Sequence, residues 1–295
     1  MKTYKTTIGE HGFEGVLYTG DAPASQVMIV NLTFGGGSPM VKGLAKWLIG
    51  EKTDALGLTI QGTKATGKDQ SQIPLEYISS AIIYLKEKGY ERIGIMGLSL
   101  GASMALTAAA KMQELSLVMT MSAFDRVFEG VLGTGTQYPS GHSSFTWQGE
   151  DVPYQPFHLT KDEYIQLMKD AKKAHGEMYG RDLWENALKV EANEDALIPV
   201  EDIKGRIVMF GAETDTCWDT AGAAKRICAR VKTDIVTYTY PHATHFILPE
   251  CVPMINVMSR VAFNEYKTHK SECQAARRDV QDVMERELRS WSGSN

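Results

Sequence analysis

The run Gln26–Leu32, QVMIVNL, is apolar along nearly its whole length. A strand with one wet face alternates apolar and polar residues, so a continuous run predicts a strand covered on both faces, as in a parallel sheet. Runs of the same character recur at Asp54–Ile60, Arg92–Met96, Leu115–Met121, Arg206–Gly211 and Asp234–Tyr240, mostly alternating with helical patterns. In one of those patterns Pro74 is placed to open a helix, Leu75, Ile78, Ile82 and Leu85 share a face, and Gly89 is placed to end it. The alternation predicts an α/β chain, a mostly parallel sheet with helices on both faces. Ahead of it, Lys5–Ile8 and Phe13–Tyr18 are expected to form a hairpin around Gly9–Gly12.

From Phe124 to Ile203 the strand-helix rhythm stops, and this stretch reads as an insertion. Within it Thr160 and Glu163 have capping-box spacing, which predicts a helix starting near Lys161. At the far end, Ala276, Val280, Val283, Met284, Leu288 and Trp291 form one face of a helix expected to pack on the sheet. A chain of 295 residues is compatible with one α/β domain. The expectation is therefore a single domain over 1–295 with a cap inserted at about 124–203.

The net charge of −5 is spread along the chain with no basic block, so nucleic acid is not an expected partner. The first residues lack an apolar signal-peptide core, and no apolar run approaches the roughly 20 residues that cross a bilayer. A soluble, cytoplasmic protein without membrane insertion is expected. Cys217, Cys228, Cys251 and Cys273 include no CxxC pair and read as free thiols.

The sequence GIMGLSLGASM, Gly94–Met104, places Ser99 between Gly97 and Gly101, after an apolar strand and before the helical pattern LGASMALTAAAKM. G-x-S-x-G in that setting is a nucleophile elbow, a sharp turn that raises the serine above the sheet. A serine hydroxyl needs a base to take its proton and an acid to orient the base, in the order Ser, Asp or Glu, His. Both follow. Asp215 lies in the loop beyond the strand RIVMFG, with Glu213 and Asp219 as rivals, and His242 and His245 share the loop after DIVTYTY. His242, directly after Pro241, reads as a loop residue. The HxxH spacing of the two histidines lacks an HExxH glutamate and a nearby third ligand, so no metal and no other cofactor is expected.

An oxyanion hole requires backbone N–H donors, one from the residue after the nucleophile and one from the loop after an early strand. Leu100 supplies the first; in NLTFGGGSP, Phe34 or Gly35 supplies the second. Phe124, Trp218 and Phe246 adjoin these loops and are candidates for lining an acyl pocket.

On the stretches TFGGGSP, IPLEYISSAIIYL, GIMGLSLGASMAL, SSFTWQGEDVPYQPF, IPVEDIKGRIVMFGAETDTCW and YPHATHF, the chain resembles the catalytic C-terminal domain of the acyl-CoA thioesterase and bile acid-CoA:amino acid N-acyltransferase family. The resemblance implies the α/β-hydrolase fold and a Ser99, Asp215, His245 triad. The family's acid stands three positions before a tryptophan, as Asp215 does before Trp218, and its histidine ends a Y-P-x-x-x-H pattern, which selects His245. Animal members carry a preceding β-sandwich that is not expected in this chain. Their elbow often has lysine where Leu100 stands, and conjugating members use cysteine where Ser99 stands, which favours water over an amine as acceptor. The implied activity is hydrolysis of acyl thioesters of the acyl-CoA type, or of related esters, through an acyl-enzyme. The rival readings are a carboxylesterase or dienelactone-hydrolase-like enzyme on small oxygen esters, and a silent hydrolase fold that binds a ligand.

Overall fold

The computed structural model describes residues 1–22, 24–133 and 136–293. Eight strands build one sheet: β1 (Lys2–Thr6), β2 (Glu14–Thr19), β3 (Gln26–Asn31), β4 (Asp54–Thr59), β5 (Arg92–Leu98), β6 (Leu115–Met121), β7 (Arg206–Ala212) and β8 (Ile235–Tyr240). Their order is β1-β2-β4-β3-β5-β6-β7-β8. β1 and β2 are antiparallel to each other and β2 to β4, while β4, β3, β5, β6, β7 and β8 run parallel.

The helices are α1 (Pro39–Gly50), α2 (Glu76–Glu87), α3 (Leu100–Ala109), α4 (Lys161–His175), α5 (Arg181–Val190), α6 (Thr220–Cys228), α7 (Met254–Ala262), α8 (Asn264–Thr268) and α9 (Lys270–Ser292). All six residues of β3 are buried because both faces of the sheet are covered. Val27 and Ile29 face a core shared with α2, α3 and α6; Met28 and Val30 face one shared with α1, α7 and α9. The expected terminal helix is α9, and its apolar stripe lies in that second core. Among the described residues, no helix is long and apolar enough to cross a membrane.

Two local readings change. The opening hairpin forms between β1 and β2, but β1 begins earlier than expected, and Ile8–His11 make a helical turn ended by Gly12 at φ 76°. Pro74 does not open a helix. Ile73–Pro74 pair in parallel with Phe145–Thr146, and α2 starts at Glu76. The N–H groups of Ile73 and Leu75 donate to Ser144 and Thr146, while Pro74, which has none, falls between them.

The described residues between β6 and β7 add no strand to the eight-stranded sheet. They form a ribbon of Glu129–Leu132 with Tyr138–Ser143, a small sheet of Phe145–Trp147 and Glu150–Asp151 with Ile73–Pro74, and helices α4 and α5. The capping box opens α4 as its spacing predicts: Glu163 N–H donates to Thr160, and Thr160 N–H donates to Glu163. A separate cluster of Phe124, Phe128, Phe157, Tyr164, Leu183 and Ala187 forms the apolar centre of this segment.

Candidate active site

Ser99 sits between the end of β5 and the start of α3 at φ 59°, ψ −124°, a conformation that non-glycine residues rarely adopt. Such a residue costs on the order of 1–3 kcal/mol and persists only where its surroundings impose it. Here the glycines on either side allow strand and helix to touch. A Cβ on Gly97 would run into the backbone of Gly101, and one on Gly101 into the backbone oxygen of Asn31 in β3. The Ser99 N–H is held by the carbonyl of Met121 at 2.9 Å, at the end of the neighbouring β6.

The hydroxyl of Ser99 lies 2.9 Å from His245 Nε2. On the other side of the ring, His245 Nδ1 is 2.9 Å from Asp215 Oδ2 and 3.1 Å from Oδ1. A carboxylate only accepts, so Nδ1 carries the proton and Nε2 is left as the acceptor for the serine O–H. Asp215 is almost wholly buried, and its Oδ1 also accepts the Cys217 N–H at 2.8 Å. Burial alone would lower the affinity of His245 for a proton, but the Asp215 carboxylate and the Cys217 sulfur beside the ring act against it, and together they hold the imidazole well above its ordinary value. The Cys217 thiol beside them is pushed up by burial.

Parallel strands carry these loops to one edge. β7 pairs with β8 from Ile207 opposite Ile235 to Ala212 opposite Tyr240, so the loops holding Asp215 and His245 leave the sheet side by side. They are laced together: Thr214 Oγ1 donates to the Ala243 carbonyl at 2.9 Å. The rival acids have other work or none. Glu213 is exposed, and Asp219 caps α6 by accepting the Gly222 N–H at 3.0 Å. His242 turns outward to Glu265, with Nδ1 2.8 Å from its carboxylate.

Leu100 is the first residue of α3, so its N–H has no partner within the helix and lies at the helix's positive end. After β3 the chain takes positive φ at Thr33 and Gly35, flanking Phe34. The N–H groups of Phe34 and Gly35 have no hydrogen-bond partner among the described residues, whereas that of Gly36 donates to Thr59 Oγ1 at 2.8 Å. Gly36 is the most confined of the three glycines, since a Cβ there would strike the Gly57 carbonyl. Phe34 and Gly35 line a cleft of about 930 Å³ that also takes in Thr59, Gln61 and Lys68.

The three aromatics read from the sequence separate. Phe124 and Trp218 meet with ring centroids 5.9 Å apart, and Trp218 stands edge-on to His245 at 4.9 Å. Phe246 is buried against Phe263 in the core beneath α9. Around the first two, Trp184, Phe128 and Phe157 complete an aromatic wall that sequence reading missed. Ser122 was missed as well. At φ 55° its Oγ donates to the His245 carbonyl at 2.8 Å, and its own carbonyl accepts Trp218 Nε1 at 3.0 Å. Nothing in its flanking residues marks it.

Residues 73–278 match the family described as BAAT / Acyl-CoA thioester hydrolase C terminal. The chain belongs to this family. Its fold is that of the α/β-hydrolases, a mostly parallel sheet with helices on both faces. It is 25% identical over 240 residues to the peroxisomal succinyl-coenzyme A thioesterase of Mus musculus, covering 79% of this chain and 52% of that protein. The chain thus spans about half the length of this curated relative. A candidate dienelactone hydrolase of Klebsiella pneumoniae superposes at TM-score 0.52 with 14% identity, covering 100% of this chain and 99% of that one. The 2,6-dihydroxy-pseudo-oxynicotine hydrolase superposes at 0.50 with 12% identity, covering 88% and 65%. These structures share the fold with the family member described here.

Proposed function

We propose that the protein is a serine hydrolase that cleaves acyl thioesters of the acyl-CoA type, with Ser99 as nucleophile, His245 as base and Asp215 as the acid that orients it. The observation that carries this reading is the unbroken chain from Asp215 through His245 to Ser99, with 2.9 Å at each side of the imidazole. His245 Nε2 takes the hydroxyl proton as Ser99 Oγ attacks the acyl carbonyl carbon. The N–H groups of Leu100 and of Phe34 or Gly35 receive the negative oxygen. Collapse breaks the carbon–sulfur bond, and the leaving thiolate takes the proton from His245. Water then attacks the acyl-serine, gives its proton to His245 and, on collapse, the free acid leaves as Ser99 recovers its proton. Segment 124–203 acts as a cap of the single domain, and its aromatic cluster meets the site through Trp218. Phe124 and Trp218 contact the acyl group. Phe246 supports the His245 loop from the core.

The test is hydrolysis of acyl-CoAs beside nitrophenyl esters, with millimolar glycine or taurine present, for wild type and Ser99→Ala. The expected result is free acid and CoA in equal amounts, little amide, and no turnover or fluorophosphonate labelling of Ser99→Ala. Good nitrophenyl-ester turnover beside poor acyl-CoA turnover would mark an oxygen esterase instead. No turnover of either would mark a binding protein, and amide as main product an acyltransferase.

A further inference from the structure

The histidine that turns away from Ser99 enters a second constellation. His242 Nδ1 lies 2.8 Å from Glu265 Oε1, and His269 Nδ1 lies 3.1 Å from the same oxygen. The two imidazoles stack with centroids 4.0 Å apart and planes 15° apart. One donor atom from each of His242, Glu265 and His269 lies within 4.8 Å of the others. The residues come from separate pieces of chain: His242 from the loop after β8, Glu265 from α8, and His269 from the junction of α8 and α9. Glu265 and His269 are four positions apart, the spacing that puts two side chains on one helical face.

The hydrogen bonds of this group converge on one carboxylate oxygen. To serve Glu265, both Nδ1 atoms must carry a proton toward one carboxylate oxygen, and His269 Nδ1 also faces Thr268 Oγ1 at 3.0 Å. A divalent cation satisfies two imidazole lone pairs and a carboxylate at once. Side-chain movement on the order of 1 Å brings such atoms to the roughly 2.0–2.2 Å of zinc coordination. A second carboxylate stands nearby. Glu272, one turn further along α9, is held low by its own backbone and Ser271, with smaller contributions from His269 and His242. Glu272 and His242 share the wall of a surface recess of about 350 Å³, which leaves space for coordinated water. The side chains of His242 and His269 are 41% and 39% exposed, so an ion reaches them from solvent.

We propose that His242, Glu265 and His269, with Glu272 as an available fourth ligand, bind a borderline-soft divalent cation of the zinc class. Two imidazoles and a carboxylate suit Zn²⁺, Co²⁺ or Ni²⁺ better than Ca²⁺ or Mg²⁺, which take all-oxygen shells. The ion would staple the His245 loop to α8 and α9, independently of what the hydrolase cleaves.

The experiment uses untagged, chelator-treated full chain titrated with Zn²⁺ by calorimetry and with Co²⁺ by visible absorption. Expected are one ion per chain at micromolar affinity, nitrogen-ligated Co²⁺ bands, and a melting temperature that rises with Zn²⁺. His242→Gln with His269→Gln should weaken binding by at least about 10-fold, and so should Glu265→Gln. Fluorophosphonate labelling of Ser99 reports that the variants are folded and should persist in the Zn²⁺-loaded protein. Wild-type affinity in the folded variants, or no uptake by wild type at 100-fold molar excess, would overturn the proposal. So would uptake abolished by Cys217→Ser with loss of labelling, which would put the ion on Asp215, Cys217 and His245.

Discussion

Replacing Gly101 by alanine tests whether close contact between strand and helix sets the position of Ser99. In α3, alanine is the better helix former by up to about 1 kcal/mol, so local propensity favours the change. Packing opposes it. The new Cβ would lie inside the contact distance of the Asn31 backbone oxygen and 3.0 Å from Asn31 Cγ and Oδ1. Asn31 is fully buried in β3 and paired opposite Gly97 of β5, so it has nowhere to retreat. The helix must move by on the order of 1 Å, at an overpacking cost of about 1–3 kcal/mol. Ser99 precedes α3 directly and moves with it, which opens the 2.9 Å contact to His245. A misplacement of about 1 Å costs on the order of 10²-fold in rate, or roughly 2.7 kcal/mol in the barrier. The net fold stability, after the helix gain, should drop by about 0–2 kcal/mol. The assay is kcat/KM for an acyl-CoA beside thermal unfolding, with Gly9→Ala as control because a Cβ at Gly9 meets nothing within 4 Å. Gly101→Ala with more than half of wild-type kcat/KM and an unchanged Tm would refute the reasoning.

Asp215→Asn should lower kcat/KM by about 10⁴-fold, the size of the tautomer effect in serine triads, whereas Glu213→Gln and Asp219→Asn should cost far less; the reverse pattern in folded variants would move the acid. Because the groups around His245 raise it despite burial, and a general base works only when neutral, kcat/KM should fall as pH drops through an inflection above 6.5. An acid limb well below 6.5 in wild type would contradict that balance. Arg277 is 3% exposed and donates to the carbonyls of Leu248 at 2.7 Å, Pro249 at 2.8 Å and Val252 at 2.7 Å, and to Asn256. Arg277→Met leaves the buried Leu248 carbonyl without a donor, while those of Pro249 and Val252 keep only the N–H groups of Val252 and Ile255, and should destabilise the protein by about 1–3 kcal/mol; a calorimetric Tm equal to that of wild type would show the network to be dispensable.

What could be read directly from the chain was what local periodicity and covalent order control. The parallel strands announced themselves because burial on both faces leaves no room for polar alternation, and β6 runs over Leu115–Met121 as that pattern predicts. The elbow was legible because Gly97, Ser99 and Gly101 do their work within five residues. Selection among Glu213, Asp215 and Asp219 within one loop belongs to tertiary structure. It is made by the register of β7 on β8, which brings the Asp215 carboxylate to a histidine thirty positions away, while Asp219 is used by α6. The aromatic wall of Phe128, Phe157 and Trp184, the brace at Ser122, the Arg277 network and the pairing of His242 with Glu265 and His269 are likewise absent from any local pattern. Each joins residues far apart in sequence. Such contacts depend on how sheet, cap and terminal helices pack, and periodicity records only that a side chain is buried, not which distant neighbour it meets.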